Sequence, residues 1–272
     1  MHVTIGMHMV GTNKSLGQHW LKNRKVLEEI AELVAYGMSD DENLEGLENS
    51  SKRINVCLEI GPGLGTLTSS LLKRFEKVIA VEFDKRLAEN LPKSFPGKNL
   101  TVINADILEY DFSTIKEKYV IAGNIPYYIT SPIIEKVLTS KRLPERVVLL
   151  IQKEVAERIV SHKETVLSLF VKNRAEVFAG QVVFRDEFTP PPKVDSQVIV
   201  MEPREKPKVP EEVFSLIRLG FRAPRKKLIH NLVSLKSREE LLNIFAELKI
   251  NENARPGDLK LEDWGSLYEK FR

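Results

Sequence analysis

Between residues 55 and 160 short apolar runs and amphipathic segments take turns along the chain, and no other feature narrows the possible folds so far. Residues 55–60, 78–83, 100–104, 119–122 and 147–152 are apolar runs of strand length. Residues 67–75, 86–91, 132–139 and 153–160, lying between and after them, carry helical spacing. Parallel strands cannot be joined by a tight turn and need a crossover, usually a helix. The alternation therefore predicts an α/β fold with a parallel sheet and helices on both faces. Ahead of it, Val26, Ile30, Leu33 and Val34 share one helical face, with Gly37 as the stop, and residues 40–53 read as an exposed polar loop. After it, residues 175–184 and 196–201 read as two closing strands around a proline-rich loop. The stretch "PREKPKVP" at 203–210 has the composition of a linker, and 211–272 is helical in pattern. Two domains are expected, 1–203 and 204–272.

Composition excludes several classes. The chain has 272 residues, 42% hydrophobic, enough for one substantial core with a small appendage. No run reaches the roughly 20 apolar residues of a membrane span, and residues 1–12 lack the basic start, apolar centre and cleavage site of a signal peptide. The single cysteine, Cys57, excludes an internal disulfide, reads as a core thiol and fits a reducing cytoplasm. The five histidines show no metal-ligand spacing, so no metal is expected. A cytoplasmic monomer is the expectation. The net charge of +3 is unevenly spread. Residues 1–27 hold no acid but carry Lys14, Lys22, Arg24 and Lys25. Residues 213–237 hold none either and carry Arg218, Arg222, Arg225, Lys226, Lys227 and Lys236. Such segments suit a polyanion such as nucleic acid, and equally a solvated helix face.

The chemistry begins at the first strand, which runs into Glu59-Ile-Gly61-Pro-Gly63-Leu-Gly65. Glycines between a strand and a helix allow a tight turn and let backbone amides approach a ligand. No Gly-Lys-Ser/Thr follows, so the loop is not a P-loop, and the third glycine comes one position early for a dinucleotide fingerprint. Glu82 closes the second strand, where a carboxylate can accept both hydroxyl hydrogens of a ribose. Asp106, in Asn104-Ala-Asp106-Ile107, follows the third and can accept from an adenine amine. Glycines, ribose carboxylate and adenine carboxylate at three successive strand ends are the arrangement expected for S-adenosylmethionine.

The fourth strand ends in "VIAGNIPYYI", residues 120–129. A methyl acceptor belongs there, on the same edge. An exocyclic amine is a poor nucleophile because its lone pair is delocalised into the ring. The Asn124 side-chain oxygen and the Ile125 carbonyl can accept its two hydrogens and turn the lone pair outward. Pro126 stiffens the turn, and Tyr127 or Tyr128 can stack on the base. No strong general base is required, because catalysis comes mainly from alignment.

Taken together these pieces resemble the ribosomal RNA small-subunit adenine dimethyltransferases, the kasugamycin-sensitivity family. The match runs almost the full length. It rests on residues 13–21 (Asn-Lys-Ser-Leu-Gly-Gln-His-Trp-Leu), the Glu59 loop, Glu82, Asn104-Ala-Asp106, Asn124-Ile-Pro-Tyr127, Gln152 to Arg158, Phe188-Thr-Pro-Pro-Pro-Lys-Val-Asp195-Ser196, Phe221 to Lys227 and Ala254-Arg-Pro-Gly257. The resemblance implies a Rossmann-like class I S-adenosylmethionine-dependent methyltransferase fold with a small C-terminal all-helical domain. It implies dimethylation of two adjacent adenines in a 3′-terminal loop of small-subunit ribosomal RNA, on an assembling subunit. By motif, Gln18, His19, Leu21, Glu59, Gly61, Gly63, Glu82, Asp106, Ile107 and Asn124 are implied to hold the cofactor. Asn124 is implied to bind the target amine, Tyr127 to lie below the base and Phe188 on its other face. Tyr128 reads as ordinary packing. Arg218, Arg222, Arg225, Lys226 and Lys227 become the expected RNA contacts.

Three departures from the family pattern stand out: Trp20 where phenylalanine is usual, Lys163-Glu-Thr-Val166 where a Tyr-Gly pair is usual, and Ala223-Pro-Arg225-Lys-Lys227 in place of paired arginines, which keeps the charge but puts Pro224 near a helix start. The other readings are a large-subunit adenine methylase of the antibiotic-resistance type and a mainly non-catalytic ribosome assembly factor. Intact Glu82, Asp106 and Asn124 argue against the second.

Overall fold

A computed structural model describes residues 18–37 and 54–272. Lys14, the motif residues ahead of Gln18 and the polar stretch 40–53 lie outside the described residues. Nine strands and ten α-helices are described, each predicted strand among them. A two-residue strand β1 (Trp20–Leu21) leads into helix α1 (Arg24–Tyr36). Asn23 caps α1 by accepting from the amides of Lys25 and Val26, and Gly37 ends it at φ +82°. There follow β2 (Val56–Ile60), α2 (Thr66–Leu71), β3 (Lys77–Glu82), α3 (Lys85–Ser94), β4 (Leu100–Asn104), β5 (Tyr119–Asn124), α4 (Thr130–Leu138), β6 (Arg146–Gln152) and α5 (Lys153–Val160). Then come α6 (Val166–Arg174), β7 (Ala175–Val183), β8 (Phe188–Thr189) and β9 (Ser196–Pro203). The chain closes with α7 (Val213–Gly220), α8 (Leu228–Leu232), α9 (Arg238–Glu247) and α10 (Leu261–Glu269).

Seven strands form one sheet in the order β4-β3-β2-β5-β6-β9-β7. The first five run parallel, and β9 lies antiparallel between β6 and β7. β1 and β8 pair separately, Trp20 opposite Thr189 and Leu21 opposite Phe188. β2 is buried along its whole length, as expected where helices cover both faces. Alternate residues serve opposite cores: Tyr119 and Ile121 of β5 point into one apolar cluster, Val120 and Ala122 into the other. This is the Rossmann-like architecture that the alternation predicts.

One helix, α6, escapes the pattern of the sequence. Ser168, Leu169, Phe170, Val171 and Asn173 are all buried, so it presents no polar stripe from which a helical period can be read. Its start lies in the segment that departs from the family pattern. Thr165 and Ser168 cap each other reciprocally there, and buried Glu164 accepts from Lys172 Nζ at 2.7 Å and from Ser168 Oγ at 2.6 Å. The Glu164 amide also donates to the Gly257 carbonyl at 2.8 Å, which ties this turn to the C-terminal helices. Pro224 lies in the turn ahead of α8 rather than inside a helix.

Residues 203–210 have the composition of a linker, yet they are held on α6. Asn173 accepts from the Val209 amide at 2.8 Å and donates back to its carbonyl at 3.2 Å, and the Lys208 amide donates to the Asn173 carbonyl. One apolar cluster runs from Leu58 and Ile121 of the sheet through Phe170 and Phe214 to Trp264. Among the described residues no helix is long and apolar enough to cross a membrane. Trp264 is fully buried at the far end of that cluster. Trp264→Ala is expected to lower the free energy of unfolding by about 3–5 kcal/mol. Urea titration followed by far-ultraviolet circular dichroism should show this as one earlier transition; loss of the helical C-terminal signal alone would mean that the two parts unfold separately.

Candidate active site

The carboxyl ends of β2 to β5 come together because the ladders hold them in step: Ile60 lies opposite both Val81 and Gly123, and Glu82 opposite Asn104. Above this edge opens a cleft with a cavity of about 220 Å³. Gln18, His19, Leu21, Glu59, Gly61, Gly63, Glu82, Asp106, Ile107, Asn124 and Tyr127 all line it. The structure thus brings together every residue expected at the cofactor and acceptor sites except Phe188.

Gly61 and Gly63 adopt φ +65° and +59°, values that side-chain-bearing residues rarely take. The space over Gly61 is open, whereas a Cβ on Gly63 would come within 3.0 Å of the Trp20 indole nitrogen. The loop is therefore open over Gly61 on one side and is closed by Trp20 on the other. Below it the Glu59 carboxyl is 1% exposed and accepts from Thr68 Oγ1 at 2.6 Å. Burial, reinforced by nearby Glu82, pushes its pKa up to about 8. Glu82 accepts the amides of Gly63 and Asp84 at 3.0 and 2.8 Å. A carboxylate offers about four lone-pair sites, so about two remain for a ligand. Burial raises its pKa too, against the pull of those amides. Two carboxyls whose pKa values burial raises make a floor that favours a cationic ligand, since a positive charge nearby stabilises their ionised forms. Asp106 Oδ1 accepts from the Leu108 amide at 2.9 Å, which sets the direction of its other oxygen.

The acceptor side is held from far away in sequence. Asn124 Nδ2 donates to the His19 carbonyl at 2.9 Å. That carbonyl can only accept, so the group facing it is the amide NH₂, and Oδ1 is left as an acceptor with no hydrogen bond among the described residues. His19 Nδ1 lies 2.8 Å from the Pro190 carbonyl and must carry the hydrogen. The imidazole stacks against the Tyr127 ring, with centroids 6.1 Å apart and planes 20° from parallel. The Tyr127 hydroxyl shares a hydrogen bond of 2.8 Å with Ser196 Oγ, and burial holds its pKa above the ordinary phenol value. Tyr127 is therefore a neutral, pinned ring and not a base.

Two expectations need correction. Phe188 is 1% exposed and belongs to the apolar core. Pairing of β8 with β1 sets it opposite Leu21 and turns it inward, so it is not among the cleft-lining residues. Tyr128 is not ordinary packing: it lines the cleft and is 63% exposed. Sequence reasoning also missed Trp20 over Gly63, Phe83 at the lip and Ser196 behind Tyr127. Ser196 lies within a quoted motif, but only the fold shows that it faces a tyrosine 69 residues away. Arg218 lies on α7, and Arg222, Arg225, Lys226 and Lys227 follow in the turn before α8. All five are exposed and none is ion-paired among the described residues; Lys227 donates to Asn253. They form a surface separate from the cleft lining.

Strand order, glycine loop and carboxylates at successive strand ends define a class I S-adenosylmethionine-dependent methyltransferase fold. The chain belongs to the ribosomal RNA adenine dimethylase family, whose model matches residues 9–272. It is 38% identical over 271 residues to ribosomal RNA small subunit methyltransferase A of Rippkaea orientalis, covering 92% of this chain and 94% of that one. It is 36% identical to the protein of that name from Fusobacterium nucleatum, with 95% and 97% covered. Among solved structures it resembles a dimethyladenosine transferase from Plasmodium falciparum (TM-score 0.74, 28% identity, 93% and 97% covered). It also resembles the 23S rRNA methyltransferase ErmE (TM-score 0.71, 26% identity, 93% and 99% covered).

Glu59 supplies a test of the cleft's electrostatics. Its folded pKa of about 8 lies above the ordinary 4.5, so the folded state binds the proton more tightly than the unfolded one. That contribution to stability is complete below about pH 4.5 and is lost as pH rises towards 8. Glu59→Gln removes the dependence. The melting temperature of the variant should gain on wild type between pH 5 and pH 8; a constant difference would contradict the burial argument.

Proposed function

We propose that the protein transfers methyl groups from S-adenosylmethionine to the exocyclic amines of two adjacent adenines, in a 3′-terminal loop of small-subunit ribosomal RNA, during subunit assembly. The observation that carries the reading is the hydrogen bond from Asn124 to the His19 carbonyl, which leaves Asn124 Oδ1 as a fixed acceptor beside a pinned tyrosine. The bound donor supplies an electrophilic methyl group on a sulfonium. Glu82 holds the ribose through its remaining lone pairs, Asp106 accepts from the donor's adenine amine, and the cradle over Gly61 takes the amino-acid portion. Glu59 and Glu82 lie beneath and favour its positive charge.

On the acceptor side, Asn124 Oδ1 and the Ile125 carbonyl receive the two amine hydrogens, and Tyr127 lies under the target base. The base has to leave its stack to enter. With amine, methyl and sulfur in line, positioning supplies the rate, and the proton released from the methylated amine passes to water. Small-subunit methyltransferases at 36–38% identity support the small-subunit reading over the large-subunit one, where identity to ErmE is 26%. The exposed cations from Arg218 to Lys227 supply a phosphate-binding surface suited to ribosomal RNA.

Incubation with labelled S-adenosylmethionine and unmethylated small subunits should yield dimethyladenosine in the small-subunit RNA. Bound subunits without product would sink the enzymatic reading. Asn124→Ala should lower the transfer rate about a hundredfold or more, while donor affinity by calorimetry stays largely intact; equal loss of both would mean that Asn124 serves the donor alone. Charge reversal at Arg225 and Lys226 should weaken subunit binding and flatten its dependence on salt. Unchanged filter binding between low and moderate salt would remove that surface from the proposal.

A further inference from the structure

The two tyrosines of the turn after β5 have opposite fates. Tyr127 is tied at both ends, its ring against His19 and its hydroxyl on Ser196. Tyr128 lines the same cleft yet is 63% exposed, and neither its ring nor its hydroxyl has a hydrogen bond or aromatic partner among the described residues. The backbone that carries it is regular. Residues Tyr127–Ile129 form one 3₁₀ turn, closed by the Ile129 amide on the Pro126 carbonyl at 3.2 Å and continued directly by α4. Successive residues in such a turn are about a third of a revolution apart. The two rings therefore cannot serve one base: the turn that aims Tyr127 inward aims Tyr128 at the lip.

We infer that Tyr128 is the platform on which the base next to the target adenine stacks while the target occupies the cleft. The inference rests on the reading of the protein as an RNA adenine dimethyltransferase. A base drawn out of its stack leaves its neighbour's face bare, and the strand's continuity keeps that neighbour at the mouth of the cleft. An exposed aromatic ring held there replaces the lost stacking partner. The contact tolerates any base, because every base has a π-face. An exposed, unpartnered aromatic, carried on a backbone fixed by a hydrogen-bonded turn beside a site for a single nucleotide, thus fits a neighbouring nucleotide of the same strand.

The test compares wild type with Tyr128→Ala, Tyr128→Leu and Tyr128→Trp, using unmethylated small subunits and S-adenosylmethionine. Tyr128→Ala and Tyr128→Leu should raise KM for the subunit about tenfold, with kcat, donor affinity and melting temperature unchanged. Tyr128→Trp should restore the wild-type KM. If Tyr128→Ala keeps the wild-type KM, or Tyr128→Leu performs as well as Tyr128→Trp, the stacking role is overturned while the enzymatic reading stands. A wild type that forms no dimethyladenosine overturns both.

Discussion

The parallel pairing of β2 between β3 and β5 is the constraint on which everything else in the molecule rests. Because the strands run the same way and in step, their carboxyl ends meet on one edge, and each end delivers a different group: the glycine loop, Glu82, Asp106 and Asn124. The same arrangement buries β2 on both faces and Glu82 at the end of neighbouring β3, and so raises the pKa values of Glu59 and Glu82. Packing and electrostatics are one fact here. The burial that holds the sheet together makes its edge receptive to a cation.

The cleft is completed by a segment that the sheet does not contain. Residues 18–21 reach it through the short β1–β8 pair, and His19 then serves both halves of the acceptor site. Its carbonyl sets which way Asn124 faces, and its ring backs Tyr127. The proline-rich loop enters the same network through the Pro190 carbonyl, and β9 through Ser196 at its start. At the opposite end, the Glu164–Gly257 and Asn173–Val209 contacts bind the C-terminal helices to α6. At residues 163–166 the tie includes a buried carboxylate, Glu164, satisfied by Lys172 and Ser168.

Much of this was legible in order along the chain. Each predicted strand lies in the observed sheet; the central ones, β2, β5 and β6, were the plainest, because buried parallel strands read as continuous apolar runs. Helix boundaries were less legible: residues 67–75 read as one helix, but α2 closes at Leu71 and turns follow. Helix α6 was invisible, since burial all round erases the amphipathic period. At the site, residues on strand ends could be read from their position after an apolar run. Phe188 and Tyr128 could not, for both are aromatics in turns, and nothing local distinguishes a ring that packs from one that faces a ligand.

The sequence by itself determined the fold class, the four strand ends that carry the chemistry and the family, because these depend on residue type and spacing along the chain. Only the tertiary structure decided which way each side chain faces. It sent Phe188 into the core opposite Leu21, left Tyr128 at the lip, and gave Asn124 its orientation through a carbonyl 105 residues distant. Those outcomes hang on pairings between segments remote in sequence, and a hydrogen bond of that kind leaves no local trace in the chain.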